Sequence, residues 1–146
     1  MLRKLVMLVL GLTILPAFCL TAEAQDAPAS KPSLSLELNA VRPSQTGCRL
    51  GFVVHNGLPG ALERAAFEVV LFNKDGLIDR LLVLDFGALA QDKTKVREFD
   101  LKDTDCGTLS RVLLNDVAAC EGADEADGGC MAALQVSSRA QVGFGL

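Results

Sequence analysis

From Leu34 onward, apolar and polar positions alternate. Leu34, Leu36 and Leu38 fall on one side of an extended segment and Ser35, Glu37 and Asn39 on the other, which predicts a half-buried β-strand. Cys48, Leu50, Phe52 and Val54 repeat the period. The run ends in His55-Asn56-Gly57-Leu58-Pro59-Gly60, a string of turn formers that stops the second strand near His55. Phe67, Val69 and Leu71 alternate with Glu68, Val70 and Phe72, and Asn73-Lys74-Asp75-Gly76 then supplies a turn with Gly where a positive φ is needed. Ile78 to Phe86 resumes as a mostly apolar strand, so the two runs predict a hairpin. Ala61 to Phe67 has room for one or two helical turns, but the Val-Val-Leu-Phe that follows has the β-branched and aromatic character of a strand. Thr94 to Leu101 predicts a further strand, with Val96 and Phe99 suggesting a bulge or burial on both sides. Leu109 to Leu114 and Met131 to Val136 complete the set.

About seven short strands with turn signals between them, and no sustained helical period, predict an all-β chain folded as an antiparallel β-sandwich. The immunoglobulin-like arrangement is the expected topology. At 146 residues there is length for one domain. Its first part reads differently from the rest. Arg3 and Lys4 precede the apolar run Leu5 to Leu15, and Ala22-Glu23-Ala24 places small residues where a signal peptidase cuts. The run to Leu20 is short for a bilayer span and is interrupted by Pro16. The expected organisation is a signal peptide at 1–24, a flexible leader rich in Ala, Pro and Ser at 25–33, and the β-sandwich at 34–146, with no transmembrane anchor after cleavage. Phe18 before Cys19 departs from the small residue a lipobox needs. No Arg-Arg pair occurs near the start, so the general secretory route to the periplasm or beyond is expected.

Export gives the cysteines their meaning. Cleavage after Ala24 removes Cys19 and leaves Cys48, Cys106, Cys120 and Cys130, an even number in an oxidising compartment, which predicts two disulfides. Three connectivities are open to four cysteines. The short separation of Cys120 from Cys130 across a Gly-rich loop favours a local bridge and leaves Cys48 for Cys106. In the immunoglobulin-like topology, those two lie at the same end of facing sheets. Each bridge contributes about 3 to 4 kcal/mol on a chain-entropy account, a large share of a small domain's stability.

Charge and composition exclude more than they identify. The full chain carries a net charge of −4, and loss of Arg3, Lys4 and Glu23 leaves 12 basic against 17 acidic side chains, or −5, so a nucleic-acid partner is not expected. With seven Phe but no Trp or Tyr, the usual large anchors of binding hot spots are missing. The sequence contains no Gly-x-Ser-x-Gly, His-Glu-x-x-His, phosphate-binding Gly-x-x-x-x-Gly-Lys or Cys-x-x-Cys. His55 is the single histidine, which excludes a histidine pair within one chain; beside Asn56-Gly57 it reads as a solvated turn residue. No catalytic residue and no cofactor is assigned.

Weaker chemistry sits in three places. Glu121, Asp124, Glu125 and Asp127 offer oxygen ligands to a hard cation such as calcium, but without the alternating order of an EF-hand loop, so a solvated acidic loop between Cys120 and Cys130 is the preferred reading. Asp103-Thr104-Asp105 and Asp116 read as turn-forming residues. Lys93, Lys95, Arg97 and Lys102 form a basic cluster that would suit an anionic lipid or glycan. A solvent face, or an edge strand guarded against aggregation, explains it better.

At the hairpin, Val69-Val70-Leu71-Phe72-Asn73 followed by Asp75-Gly76, after an earlier Val-Val-His-Asn, resembles the FxLYD family of bacterial extracytoplasmic domains over Leu50 to Leu101. Leu71 is the identical position, with Phe72 in place of Tyr and Asn73 in place of Asp. The resemblance implies a small β-sandwich on the outer side of a membrane and carries no catalytic residues. The chain as a whole is similar to small secreted bacterial proteins. The expected function is a non-enzymatic binding or structural module that meets an envelope protein, for example by strand addition. The alternatives are a small extracytoplasmic hydrolase or thiol enzyme using Asp residues or Cys48 served by His55, and a calcium-binding module built on 121–129.

Overall fold

The computed structural model describes residues 31–122 and 129–146, so the predicted signal peptide, most of the leader and Asp124, Glu125 and Asp127 lie outside the described residues. The alternating segments become strands β1 (Ser33–Pro43), β2 (Gly47–Gly57), β3 (Leu62–Asn73), β4 (Ile78–Leu89), β5 (Thr94–Lys102), β6 (Leu109–Glu121), β7 (Leu134–Ser138) and β8 (Gly143–Gly145). A 3-10 turn at Cys106–Thr108 precedes β6, and a short helix α1 (Gly129–Ala133) precedes β7. Sheet I is ordered β5-β2-β1-β7 and sheet II β4-β3-β6-β8. Their inner faces share one apolar core, giving an all-β sandwich.

Period-two alternation builds that core. Leu34, Leu36 and Leu38 of β1, with Cys48, Leu50, Phe52 and Val54 of β2, face Phe67, Val69 and Leu71 of β3 and Leu84 and Phe86 of β4. Phenylalanine does the central filling. The Phe52 ring meets those of Phe86, Phe99 and Phe144 edge to face at 5.5, 6.0 and 5.5 Å, and Phe86 also meets Phe67 at 5.8 Å. That geometry sets the positive edge of one ring against the negative face of the next.

Among the described residues the buried polar side chains are Thr104 and Asn56, and Asn56 is completely buried. Its amide donates to the carbonyls of Gly60 and Leu89, each at 2.9 Å, and its carbonyl oxygen accepts from Leu58 N–H at 3.1 Å. It therefore ties the β2–β3 turn to the end of β4 with every polar atom satisfied, as burial demands. The hairpin turn forms as the sequence predicts: Asn73 Oδ1 accepts from the N–H groups of Asp75 and Leu77, and Gly76 takes φ 77°.

Several expectations are corrected. The sheets are mixed rather than antiparallel, because β7 runs parallel to β1 and β8 parallel to β6. A hairpin can only return antiparallel; here the chain leaves β6, passes through α1 and lands beside β1 in the other sheet. The strand predicted at Met131 to Val136 is divided, its first half helical and its second half β7. β8 escapes the sequence pattern because Gly-Phe-Gly has a single side chain to bury. From Leu62 the segment is strand, which agrees with the strand character read from the Val-Val-Leu-Phe that follows. β5 pairs with β2 in unbroken register, with Phe99 facing the core and Val96 facing out, so it has neither bulge nor two-sided burial.

The disulfides join Cys48 to Cys106 and Cys120 to Cys130, with Cα atoms 5.0 and 6.0 Å apart. This is the pairing favoured by spacing. The first ties β2 of sheet I to the approach of β6 in sheet II; the second anchors α1 to the end of β6.

Candidate functional site

A sandwich presents two outer faces, and here they are chemically unlike. On sheet I, the alternation that buries Cys48, Leu50 and Phe52 sends Arg49 outward, and the register with β5 sets Asp100 directly opposite it. The Arg49 guanidinium makes two hydrogen bonds of 2.9 Å to the two Asp100 oxygens and lies 3.5 Å from Glu98, which also pairs with Arg42. Arg139 donates to Glu37 at 3.0 Å beside the Asn39 amide at 2.8 Å. The Arg49 hydrogen bond is the main reason that the Asp100 carboxyl sits below its ordinary range, and Asp100 raises Arg49 in return. The Asn39 amide, then Arg139, lowers Glu37. A shallow cleft of about 810 Å³ opens at this end, lined by Arg42, Ser44, Thr46, Arg49 and Asp100. Its cations are already engaged.

The residues singled out by sequence are mostly accounted for by structure. His55 lies on the outer side of β2, its Nδ1 3.2 Å from Thr94 Oγ1, and Cys48 points inward from the same strand, so the two stand on opposite faces. Glu121, the described member of the acidic set, lies 3.7 Å from Arg64. Among the described residues, no group of three or more His, Cys, Asp or Glu is placed to hold a metal. Asp105 accepts from Gly107 N–H at 2.8 Å and caps the 3-10 turn; Asp103 takes φ 56° in a turn; Asp116 accepts from Val117 N–H.

The basic cluster does not form a surface patch. Lys95 and Arg97 share one side of β5, as the alternation predicts, but that side faces sheet II along with Phe99 and Leu101. Lys95 Nζ donates to the Ala88 carbonyl at 3.0 Å, Arg97 to the Asp85 carbonyl at 3.2 Å, and Arg80 of β4 returns a bond of 2.9 Å to the Lys102 carbonyl. These cations latch the open side of the sandwich between edge strands β4 and β5. A bulge presents the acceptors: Gly87 takes φ 69°, and its N–H donates to Asp85 Oδ1 at 2.8 Å. That amide, followed by Arg64 at 2.9 Å, holds the Asp85 carboxyl below its usual range. Inward-pointing charge is also a known guard against edge-to-edge pairing.

The latch engages β4 from Arg80 to Ala88 along the side toward β5 and leaves the outer side of the strand uncovered. There Ile78, Leu81 and Val83 project from the outer face of sheet II and are 68, 55 and 52% exposed. The register places Leu81 beside Val70 and Leu113, and Ile78 beside Phe72 and Arg111. The rows are apolar across three strands, with Val70 buried between its neighbours, Phe72 and Leu113 half-buried and the exposed area concentrated on β4, and the Arg111 guanidinium lies 4.2 Å over the Phe72 ring. Scattered exposed apolar residues are ordinary, but a contiguous patch marks an interaction surface. Sequence reading identified Ile78 to Phe86 as a strand and missed this site. The available signal was the run Leu81-Leu82-Val83-Leu84, apolar at both parities, which puts two leucines toward the core and a leucine and a valine toward solvent.

Among the described residues, no helix is long and apolar enough to cross a membrane. Comparison of the chain with protein-family profiles, with curated proteins and with solved structures finds no match.

Proposed function

We propose that the protein is a non-enzymatic binding or structural module that works outside the cytosol by associating with protein through the outer face of sheet II. The observation that carries this reading is the band of Ile78, Leu81 and Val83, more than half exposed on a sheet whose opposite face already supplies a complete core. Burying apolar area of this kind stabilises a complex by roughly 25 cal/mol per Å² before the costs of association are subtracted. Two disulfides in a small domain support a place in the periplasm or beyond, reached through a signal peptide ending at Ala24 by the general secretory route. Two packed sheets bridged from β2 to the start of β6 are compatible with an immunoglobulin-like arrangement and with kinship to FxLYD-type domains, both of which belong to this reading.

Intact cells supply the test. A photo-crosslinking side chain at position 81 is expected to trap a protein on irradiation, while the same group at position 96 on sheet I traps none. Absence of any adduct at position 81 overturns the reading. Sequencing the amino terminus of the exported chain is expected to begin at Gln25; an unprocessed chain with reduced thiols removes the extracytoplasmic part.

A further inference from the structure

We infer that the occupant of this face is a second copy of the chain, packed so that sheet II of one copy lies antiparallel over sheet II of the other. The inference rests on the association reading above and names its partner.

The face is organised as three cross-strand rows. The middle row is Leu81, Val70 and Leu113; toward one end lie Ile78, Phe72 and Arg111, and toward the other Val83, Glu68 and Asp116. One end therefore carries a guanidinium and the other two carboxylates set opposite each other, a placement that repels. Among the described residues, Arg111, Glu68 and Asp116 take part in no ion pair, whereas the arginines on the face of sheet I do. Each end lacks what the other has.

Symmetry converts this polarity into a fit. A two-fold dimer contact uses the same patch on both copies, so the patch must complement itself. An axis lying in the interface along the middle row sets Leu81, Val70 and Leu113 over their own counterparts and exchanges the ends. Arg111 then meets the carboxylate row of the other copy, and Ile78 meets the other copy's Val83. An axis running along the strands would lay β4 over β6 and leave Arg111 facing Ile78, with both carboxylates uncompensated. Charge complementarity selects the first. Beside Arg111 and Leu113, the adjoining positions of β8 are Gly143 and Gly145, so no side chain rises there to block a flat approach. Two such faces would close to the usual sheet-to-sheet spacing of about 10 Å.

Sedimentation equilibrium of the full chain over a range of concentrations tests this directly, with a monomer–dimer equilibrium expected. Arg111→Glu alone, and Glu68→Lys with Asp116→Lys, each place like charges at both ends of the contact and are expected to raise the dissociation constant about tenfold or more. Mixing the two variants restores dimerisation, because both contacts in the mixed dimer then join opposite charges. That rescue also shows that each variant is folded. A wild-type chain that stays monomeric, or a mixture that associates no better than its components, overturns the inference. In cells, an adduct at position 81 joining two copies supports it. An adduct to a different protein overturns self-association and leaves the module reading standing, whereas no adduct removes both.

Discussion

The outer faces of sheets I and II are built on the same alternation and end in opposite chemistry. On sheet I, Arg42, Arg49, Glu98 and Asp100 satisfy one another, as do Arg139 and Glu37, so most of the charge on that face is already paired. On sheet II, Arg64 pairs with Asp85 and Glu121 near one end, but apolar side chains occupy the centre, and Arg111 is too far along the strands from Glu68 and Asp116 to meet them within one copy. A face that is complete by itself gains little from a partner. A face with separated, unmatched charges around an apolar centre gains both by burial and by pairing. On the open side, β5 turns Lys95 and Arg97 inward as a latch that Arg80 of β4 completes, while the outer side of β4 is left uncovered.

The largest expected effect tests what the two faces share. Phe52 is almost completely buried and its ring meets three others drawn from β4, β5 and β8. Phe52→Ala leaves a cavity between the sheets and is expected to cost about 3–5 kcal/mol of unfolding free energy, measured by denaturant titration. A loss below about 1 kcal/mol would mean that the sheets are not held by this cluster.

Acid separates the faces next. The carboxyls of Asp100 and Glu37 on sheet I are lowered in the folded state, Asp100 chiefly by Arg49 and Glu37 chiefly by the Asn39 amide. Unfolded, they titrate near about 4. Because the folded values lie lower, these groups contribute stability at neutral pH that is lost as pH falls from about 4 through the folded values. The thermal midpoint of the wild type is therefore expected to fall below about pH 4, and Arg49→Met to flatten that fall while changing the neutral-pH midpoint little, since exposed pairs are weak. An identical pH profile in the variant would detach the ion pairs from acid sensitivity. Asp85 on sheet II titrates in the same sense, but chiefly through the Gly87 amide, and so survives the substitution.

How far these features could be read from sequence depends on how local their causes are. The β3–β4 hairpin was legible because Asn73 and Gly76 set its turn within five residues. The disulfide pairing was legible from spacing. That Lys95 and Arg97 share a strand face was legible too, but not which face, because Val96 and the pair Phe99 and Leu101 offer opposite parities and only packing against β4 decides between them. Parallel β7 and the three-residue β8 depend on long-range return of the chain, and no local pattern encodes that. The functional face was hidden for a related reason. Ile78 to Phe86 reads only as a mostly apolar strand, a pattern that normally lies inside a sheet, and the sheet order instead puts β4 at an edge.

The smallest effect on stability gives the sharpest test of that face. Leu81 and Leu82 are adjacent and chemically identical, yet Leu81 points outward, 55% exposed, while Leu82 packs against the core. Leu81→Lys is expected to change the unfolding free energy of the monomer by no more than about 0.5 kcal/mol, since the lysine stem can lie along Val70 and Val83 with its ammonium in water. Leu82→Lys must carry its charge toward the core and is expected to cost roughly 2 kcal/mol or more. Association reverses the order of importance, because Leu81→Lys puts a cation at the centre of the proposed contact and abolishes it. Equal destabilisation by the two substitutions would place Leu81 in the interior. A difference confined to stability, with self-association intact in Leu81→Lys, would keep the fold and move the interface elsewhere.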